Sequence, residues 1–139
     1  MQRLILMVGL PRSGKTTRAL ELSTKFGAPI VSPDAIRSAI HGSGSKTYLP
    51  KAEPLIWGIA KTMVSALFEA GHDIVIVDAC NNTKKRRDEW RFGEWEVTFE
   101  TVNTSGEICR GRTINPLLLP VIDRMERDHE PVDPSEEGS

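Results

Sequence analysis

Residues 3–17 read RLILMVGLPRSGKTT, a continuous apolar run followed at once by a polar turn with a glycine near each end. The run Arg3–Val8 is typical of a strand in a parallel sheet, because such strands are buried on both faces. The turn, residues 9–16, matches the pattern GxxxxGK[ST] in full. In that pattern backbone N–H groups point inward at phosphate oxygens, and glycine permits the bend. The stretch therefore predicts a strand, a phosphate-binding loop and a helix whose positive end faces the anion.

The pattern also assigns roles within this loop, which we call the P-loop (residues 9–16). Lys15 is expected to reach the β- and γ-phosphates of a nucleotide, and the Thr16 hydroxyl is expected to hold Mg²⁺. Thr17 either contacts the nucleotide or is an ordinary first-turn helix residue. ATP and Mg²⁺ are the expected cofactors. The full set of predicted nucleotide-binding residues is Gly9, Pro11, Arg12, Ser13, Gly14, Lys15, Thr16 and Thr17.

Length and composition indicate a single globular domain. The chain has 139 residues, of which 39% are apolar and 27% charged. Its formal net charge of −1 argues against a broad nucleic-acid surface, although it allows a local basic site. Cys80 and Cys109 lack CxxC spacing, which argues against a zinc site and fits a reducing, cytoplasmic location. No window approaches the roughly 18 consecutive apolar residues of a membrane span, so no membrane association is expected.

Helical and strand patterns alternate along the chain. Helical spacing predicts helices over residues 15–26, 34–40, 53–70, 84–91 and 118–129. Strands are expected at residues 29–31, 73–77 and 95–99, and a mobile polar loop at 41–48. This alternation predicts an α/β fold of the P-loop NTPase type, with three layers around a mainly parallel sheet of four to five strands.

A second polar block follows the strand predicted at 29–31, where residues 32–37 read SPDAIR. Ligands of open α/β sheets bind at the carboxyl ends of strands. Asp34 and Arg37 are three residues apart, so they share one face of a helix. A carboxylate can accept the proton of an attacking hydroxyl, and a guanidinium can clamp a phosphate on the acceptor. A capping Asp34 beside a surface Arg37 fits the spacing equally well.

Two further features favour structural roles. The run Lys84–Arg87 carries a local charge of +4 and can attract nucleic acid, but a solvated helix face balanced by Asp88 and Glu89 is the favoured interpretation. Trp57 and Trp90 are expected in the core rather than stacked on a base.

Three stretches carry a family resemblance: MQRLILMVGLPRSGKTT, VSPDAIRSAI and DIVIVDACNNTKKRRDEW. Together they resemble the 5′-polynucleotide kinase family of P-loop phosphotransferases, particularly the phage-type kinase domain. The resemblance covers residues 1–128 and implies a kinase domain with a small helical lid at about residues 105–118. It implies transfer of the γ-phosphoryl group of ATP to the 5′-hydroxyl of a polynucleotide or 3′-nucleotide. Residues 129–139 are expected to be an extended or disordered tail.

Carried over by position, the resemblance implies catalytic roles for Lys15, Asp34 and Arg112. Lys15 would act on the ATP phosphates, and Asp34 would be the general base toward the 5′-hydroxyl. Arg37 would bind the acceptor's 3′-phosphate. Asp78 ends an apolar strand, so it binds Mg²⁺ through water, orients Thr16, or only caps the next turn.

The lid matches the family least well. Arg112 is the best candidate for a lid arginine that neutralises phosphate charge, and Arg110 is the runner-up. The family's second lid arginine has no counterpart in residues 113–119. Arg124 or Arg127 could substitute for it from the next helix, but a surface charge is the favoured interpretation of both. Two alternatives therefore stay open: a small-metabolite or nucleotide kinase of the same fold, and a nucleotide-binding module without transferase activity.

Overall fold

The computed structural model describes residues 1–42 and 49–138. Most of the polar loop predicted at 41–48 therefore lies outside the described residues. The strands are β1 (Arg3–Val8), β2 (Ile30–Val31), β3 (Ile74–Val77) and β4 (Glu96–Thr101). The helices are α1 (Lys15–Phe26), α2 (Pro33–His41), α3 (Glu53–Glu69), α4 (Lys84–Asp88), α5 (Gly106–Gly111) and α6 (Leu119–Asp128). No helix in these two ranges is both long enough and apolar enough to cross a lipid bilayer.

The strands form one four-stranded sheet in the order β2-β3-β1-β4. Each neighbouring pair is parallel, and Leu4 of β1 pairs with Val75 on one side and Val97 on the other. Parallel pairing requires a crossover between consecutive strands, and helices supply it. The predicted α/β fold with a parallel central sheet is confirmed.

The side chains of β1 alternate between two hydrophobic cores. Leu4 and Leu6 belong to the core shared with α3, whereas Ile5 and Met7 belong to the core shared with α1. Successive side chains of a strand point to opposite faces, so one apolar run supports both layers. Burying a single side chain of this kind contributes about 1.5–3 kcal/mol. The uninterrupted hydrophobicity of residues 4–8 is therefore what makes the fold three-layered.

Local signals set the ends of α2 and α4. Ser32 caps α2 by accepting a hydrogen bond from the Ala35 backbone N–H at 3.2 Å, and Pro33 occupies the first turn. Helix α4 ends at Asp88, three residues before the predicted end at residue 91. Arg91 therefore lies outside the helix. Its guanidinium donates a hydrogen bond to the Gly138 carbonyl at 3.0 Å.

Residues 129–138 differ from the extended or disordered tail that the sequence predicts. Residues 134–136 form a 3-10 turn with a reciprocal capping box between Asp133 and Glu136. Gly138 then pairs antiparallel with Val97, exchanging hydrogen bonds of 2.9 and 3.0 Å with it. The tail is ordered because its polar groups find partners on α4 and on the edge of β4.

The basic run on α4 explains how the tail is held. Lys84 pairs with Asp88 at 2.7 Å, as expected for a solvated helix face. Arg87 departs from that expectation, because it is 0% exposed and pairs with the buried carboxylate of Glu136 at 2.9 Å. A buried guanidinium needs a charged partner and full hydrogen bonding. The tail supplies both, since the Arg87 guanidinium also donates to the Pro131 carbonyl at 3.4 Å.

Candidate active site

The P-loop links the carboxyl end of β1 to the first turn of α1. Gly14 has φ 100° and heads α1, whose N-terminus has no side-chain cap. The first backbone N–H groups of a helix lack intrahelical partners, so an uncapped N-terminus fits an anion. Lys15 is largely buried within the loop, and its ammonium donates to the Leu10 carbonyl at 3.0 Å. This donor set fits the triphosphate tail of a nucleotide.

A cleft of about 1610 Å³ opens above the P-loop and brings most of the predicted site residues together. Those that line it are Pro11, Arg12, Gly14, Lys15, Thr16, Thr17, Asp34, Arg37, Asp78 and Arg112. Gly9 and Ser13 do not line it. Ser13 is buried beneath the loop, where its backbone carbonyl accepts a hydrogen bond of 2.6 Å from the Thr104 hydroxyl. These two residues therefore support the loop from below.

Glycine is required at position 9 because neighbouring atoms leave no room for a side chain. A Cβ atom at this position would lie 2.9 Å from Ser13 Oγ, 3.0 Å from the Val102 carbonyl oxygen and 3.1 Å from Lys15 Cγ. Two of these neighbours belong to the P-loop itself, so a larger residue displaces the loop that must contact phosphate. Glycine at this position therefore serves packing rather than an unusual backbone angle.

We expect Gly9→Ala to lower ATP affinity about tenfold, because overpacking at such a site costs about 1–3 kcal/mol and shifts the loop. Isothermal titration with ATP and a thermal melt measure the two effects. Gly111→Ala is the matched control, since Gly111 does not line the cleft, a Cβ there meets nothing within 4 Å and alanine favours the helix. Unchanged ATP affinity in Gly9→Ala would contradict the close-approach argument.

Thr16 and Asp78 meet at the centre of the cleft. The Thr16 hydroxyl donates to Asp78 Oδ2 at 2.8 Å. Asp78 directly follows β3, and its backbone N–H is fixed by the Val31 carbonyl at 2.9 Å. A hydroxyl beside a carboxylate fits Mg²⁺, which takes one or two protein ligands plus phosphate oxygens and water. Residues 1–42 and 49–138 contain no cluster of three or more His, Cys, Asp or Glu residues suited to hold a metal.

Asp34 and Arg37 lie on the opposite wall of the cleft. The Arg37 guanidinium donates to Asp34 Oδ1 at 2.6 Å, as the i,i+3 spacing predicts. Its Nε and Nη2 atoms bind both carboxylate oxygens of Glu53 at 2.9 and 2.6 Å. Hydrogen bonds to Glu53 are the main reason why the pKa of Arg37 is raised. Glu53 stands in no recognisable motif, and only the folded chain brings it to this site.

The two carboxylates of this group differ in exposure. The Asp34 side chain is 91% exposed, whereas that of Glu53 is 11% exposed. A carboxylate open to the cleft can meet an incoming hydroxyl, but one buried against a guanidinium is committed to its ion pair. Asp34 is therefore the carboxylate of the pair that is available for proton transfer.

Cys80 also lines the cleft, and charged residues of the cleft affect the pKa of its thiol. Burial raises the pKa of the Cys80 thiol, the positive charge of Lys15 opposes the rise, and the negative charges of Asp34 and Asp78 add to it. The thiol thus stays protonated at neutral pH and lies within electrostatic reach of both walls. Lys15, Asp34 and Cys80 all line the same cleft.

The lid rises from α5, which Ser105 caps by accepting a hydrogen bond from the Ile108 N–H. Arg112, at its end, donates from Nη1 to the Arg12 carbonyl at 3.2 Å. Arg110 is turned to α6, where it pairs with Asp123 and Glu126 at 3.1 and 2.9 Å. Arg112 rather than Arg110 is thus the α5 arginine at the cleft.

Two residues expected elsewhere also line the cleft. Arg124 of α6, expected to be a surface charge, contributes to the cleft wall. Trp57 is half-buried rather than fully buried, and the Arg86 guanidinium lies 4.0 Å above its ring. Trp90 is fully buried, as expected, and donates to Asn81 Oδ1 at 3.0 Å. Trp57, which was predicted to lie in the core, therefore presents part of its ring to the cleft, with the Arg86 guanidinium stacked on it.

Several solved structures share this fold. A structure of the Pnkp1/Rnl/Hen1 RNA repair complex matches with TM-score 0.74 at 19% identity, covering 91% of this chain and 43% of that chain. A sugar kinase from Janibacter sp. HTCC2649 matches with TM-score 0.72 at 21% identity, covering 98% and 82% of the respective chains. The APS kinase CysC of Mycobacterium tuberculosis, in complex with AMPPNP and APS, matches with TM-score 0.65 at 18% identity, covering 91% and 75%.

These likenesses establish the fold. The chain spans 40% and 43% of the length of the chains it matches in two structures of the RNA repair complex. No curated protein matches the sequence significantly. A family model described as an AAA domain matches residues 4–115, a range that includes the P-loop, Asp34, Asp78 and Arg112. The chain therefore belongs to this AAA domain family and has the fold of P-loop kinases.

Proposed function

We propose that this protein transfers the γ-phosphoryl group of ATP to the 5′-hydroxyl of a polynucleotide or a 3′-nucleotide. The observation that carries the proposal is the exposed carboxylate of Asp34, in one cleft with Lys15 and the Thr16–Asp78 pair. Phosphoryl transfer asks for positioning and charge neutralisation more than for covalent chemistry. These residues provide both.

The proposed reaction begins with the triphosphate on the P-loop. Lys15 leaves the Leu10 carbonyl to bind the β- and γ-phosphates, and the Thr16–Asp78 pair would hold Mg²⁺. When bound, Mg²⁺ neutralises part of the phosphate charge. Asp34 accepts the proton of the acceptor hydroxyl while the hydroxyl oxygen forms a bond to the γ-phosphorus. The bond from that phosphorus to the β–γ bridging oxygen breaks, and ADP leaves.

Two features support a nucleic-acid acceptor. The Arg37 guanidinium lies beside the proposed base, where it can orient an acceptor phosphate. On the same wall, the ring of Trp57 beneath the Arg86 guanidinium, which also pairs with Glu89 at 2.9 Å, offers a flat surface. Stacking of a base on such a surface contributes about 1–3 kcal/mol in single-strand binders.

A small hydroxyl compound is the second candidate acceptor, and Glu53 favours it. Because Glu53 binds two nitrogens of Arg37 and Asp34 binds a third, the three side chains carry one positive and two negative charges. A group with net negative charge attracts an acceptor phosphate less than a lone arginine does. A neutral polyol has no phosphate, so the negative charge of this group does not weaken its binding.

An acceptor screen separates the candidates. The protein is incubated with γ-labelled ATP and Mg²⁺ beside a 5′-hydroxyl oligonucleotide, a 3′-mononucleotide or a panel of sugars. We expect label at the 5′ end of the oligonucleotide. Transfer to a sugar, with none to either nucleotide, would overturn the proposed acceptor while leaving the kinase assignment intact. ATP binding without transfer to any acceptor would support a nucleotide-binding module instead.

A further inference from the structure

The P-loop and the lid are joined by a reciprocal arginine contact. Arg12 donates from Nη2 to the Arg112 carbonyl at 3.2 Å, and Arg112 donates from Nη1 to the Arg12 carbonyl at 3.2 Å. The two residues are 100 positions apart in sequence. Each guanidinium thus holds the backbone of the other residue, and two positive charges are brought to one edge of the cleft.

Among residues 1–42 and 49–138, no carboxylate forms a salt bridge with Arg12 or Arg112. Arg110, in the same lid helix, has two carboxylate partners. Like charges held close together repel, and an anion between them removes the repulsion. Both arginines line the cleft beside Lys15, where the anion would be a nucleotide phosphate.

The backbone of Arg12 is also unusual. Its φ of 67° lies in the left-handed region, which only Arg12 and Asn81 adopt among the non-glycine residues in the described ranges. Glycine takes this conformation at much lower cost than arginine. Strain of this kind is found where a side chain is needed in one place. The arginine side chain at this bend thus has a use beyond shaping the loop.

We propose that Arg12 is the second arginine of the phosphate clamp, supplied by the P-loop rather than by the lid. The lid itself offers one cleft-facing arginine at the expected spacing, Arg112. Arg12 reaches the same edge of the cleft from the P-loop. The two guanidinium groups together neutralise the charge that develops on the terminal phosphate. The inference rests on the proposed phosphoryl transfer, and it names the residue that completes its charge neutralisation.

Arg12→Gly tests the clamp without endangering the fold, because glycine suits the backbone angle at this position. We expect affinity for a non-hydrolysable ATP analogue to fall at least tenfold, while affinity for ADP changes less than twofold. Turnover should fall about 10²-fold, as for the loss of one transition-state donor. The melting temperature should hold or rise. Arg12→Lys keeps the charge and should recover part of the loss.

Arg127→Gln is the matched control, since Arg127 is exposed and pairs with Asp128; it should behave as wild type. Equal losses of ADP and ATP-analogue affinity in Arg12→Gly would overturn the clamp, because Arg12 would then only shape the loop. Unchanged binding and turnover would overturn it as well. The comparison of ADP with the analogue needs no acceptor, so it decides the clamp even if the acceptor screen fails.

Discussion

Asp34→Asn is expected to lower the rate of phosphoryl transfer by about 10²–10⁴-fold, the range associated with loss of a general base. Asparagine has the shape of aspartate and can still accept the hydrogen bond from Arg37, so the wall of the cleft is preserved. It cannot accept the proton of the attacking hydroxyl. ATP affinity should stay nearly unchanged, because Asp34 lies across the cleft from the P-loop. Single-turnover transfer assays and ATP titrations measure the two effects.

Asp73→Asn is the matched control for this substitution. Asp73 is an exposed aspartate just before β3, and it is not among the residues that line the cleft. Its variant should transfer phosphate at the wild-type rate. Near-normal turnover in Asp34→Asn would remove the base from the proposed mechanism, whereas a parallel loss of ATP affinity would assign Asp34 to nucleotide binding.

Glu136→Ala is expected to destabilise the fold by about 3–5 kcal/mol, the cost of leaving one partner of a buried ion pair uncompensated. The guanidinium of Arg87 is fully buried, and its Nε and Nη2 atoms bind the carboxylate of Glu136 at 2.9 and 3.3 Å. The loss is a large share of the roughly 5–15 kcal/mol that stabilises a typical domain. Denaturant titration measures it, and the melting temperature should fall by roughly 10–20 °C.

Glu137→Ala is the matched control, because Glu137 is the exposed neighbour of Glu136 and has no salt bridge among the described residues. It should leave the unfolding free energy within about 0.5 kcal/mol of wild type. A double variant, Arg87→Met with Glu136→Leu, should recover part of the loss, because both buried charges are then absent. Equal stability of wild type and Glu136→Ala would show that the tail does not hold Arg87.

The ion pair between Arg87 and Glu136 also makes the free energy of unfolding depend on pH. Burial raises the pKa of the Glu136 carboxyl, but hydrogen bonds from Arg87 and from the Asp133 N–H, together with the positive charges of Arg87 and Lys84, hold that pKa below its usual 4.5. A lowered pKa in the folded state stabilises the fold above the unfolded value. That contribution is lost as the pH falls through the folded value. We therefore expect the unfolding free energy to drop more steeply below pH 4.5 in wild type than in Glu136→Gln, as denaturant titration at several pH values can measure.

The buried pair also connects the tail to the active site. Arg87 Nη1 donates to the Asn81 carbonyl at 3.1 Å, and the Glu130 N–H donates to the Asn82 carbonyl at 3.0 Å. Both asparagines line the cleft just beyond Asp78. Residues that the sequence presents as an extended or disordered tail therefore support the loop that follows the candidate metal ligand.

The sequence by itself determined the features that depend on neighbours along the chain. The P-loop, the buried strands and the i,i+3 contact between Asp34 and Arg37 each follow from residues at most eight positions apart. Their backbone geometry is set by glycine, by proline and by the alternation of side chains. For this reason four strands and the order of the helices were predictable, together with the position of the second polar block at the carboxyl end of a strand.

The tertiary structure alone decided which distant groups meet. Glu53 binds Arg37 across 16 positions, Glu136 binds Arg87 across 49, and Arg12 contacts Arg112 across 100. Periodicity shows which face of an element is buried, but it does not show which charged side chain lies opposite a buried arginine. A buried charge needs a counter-charge, because it has lost its contact with water. The packing of the layers decides which oppositely charged side chain is close enough to provide it.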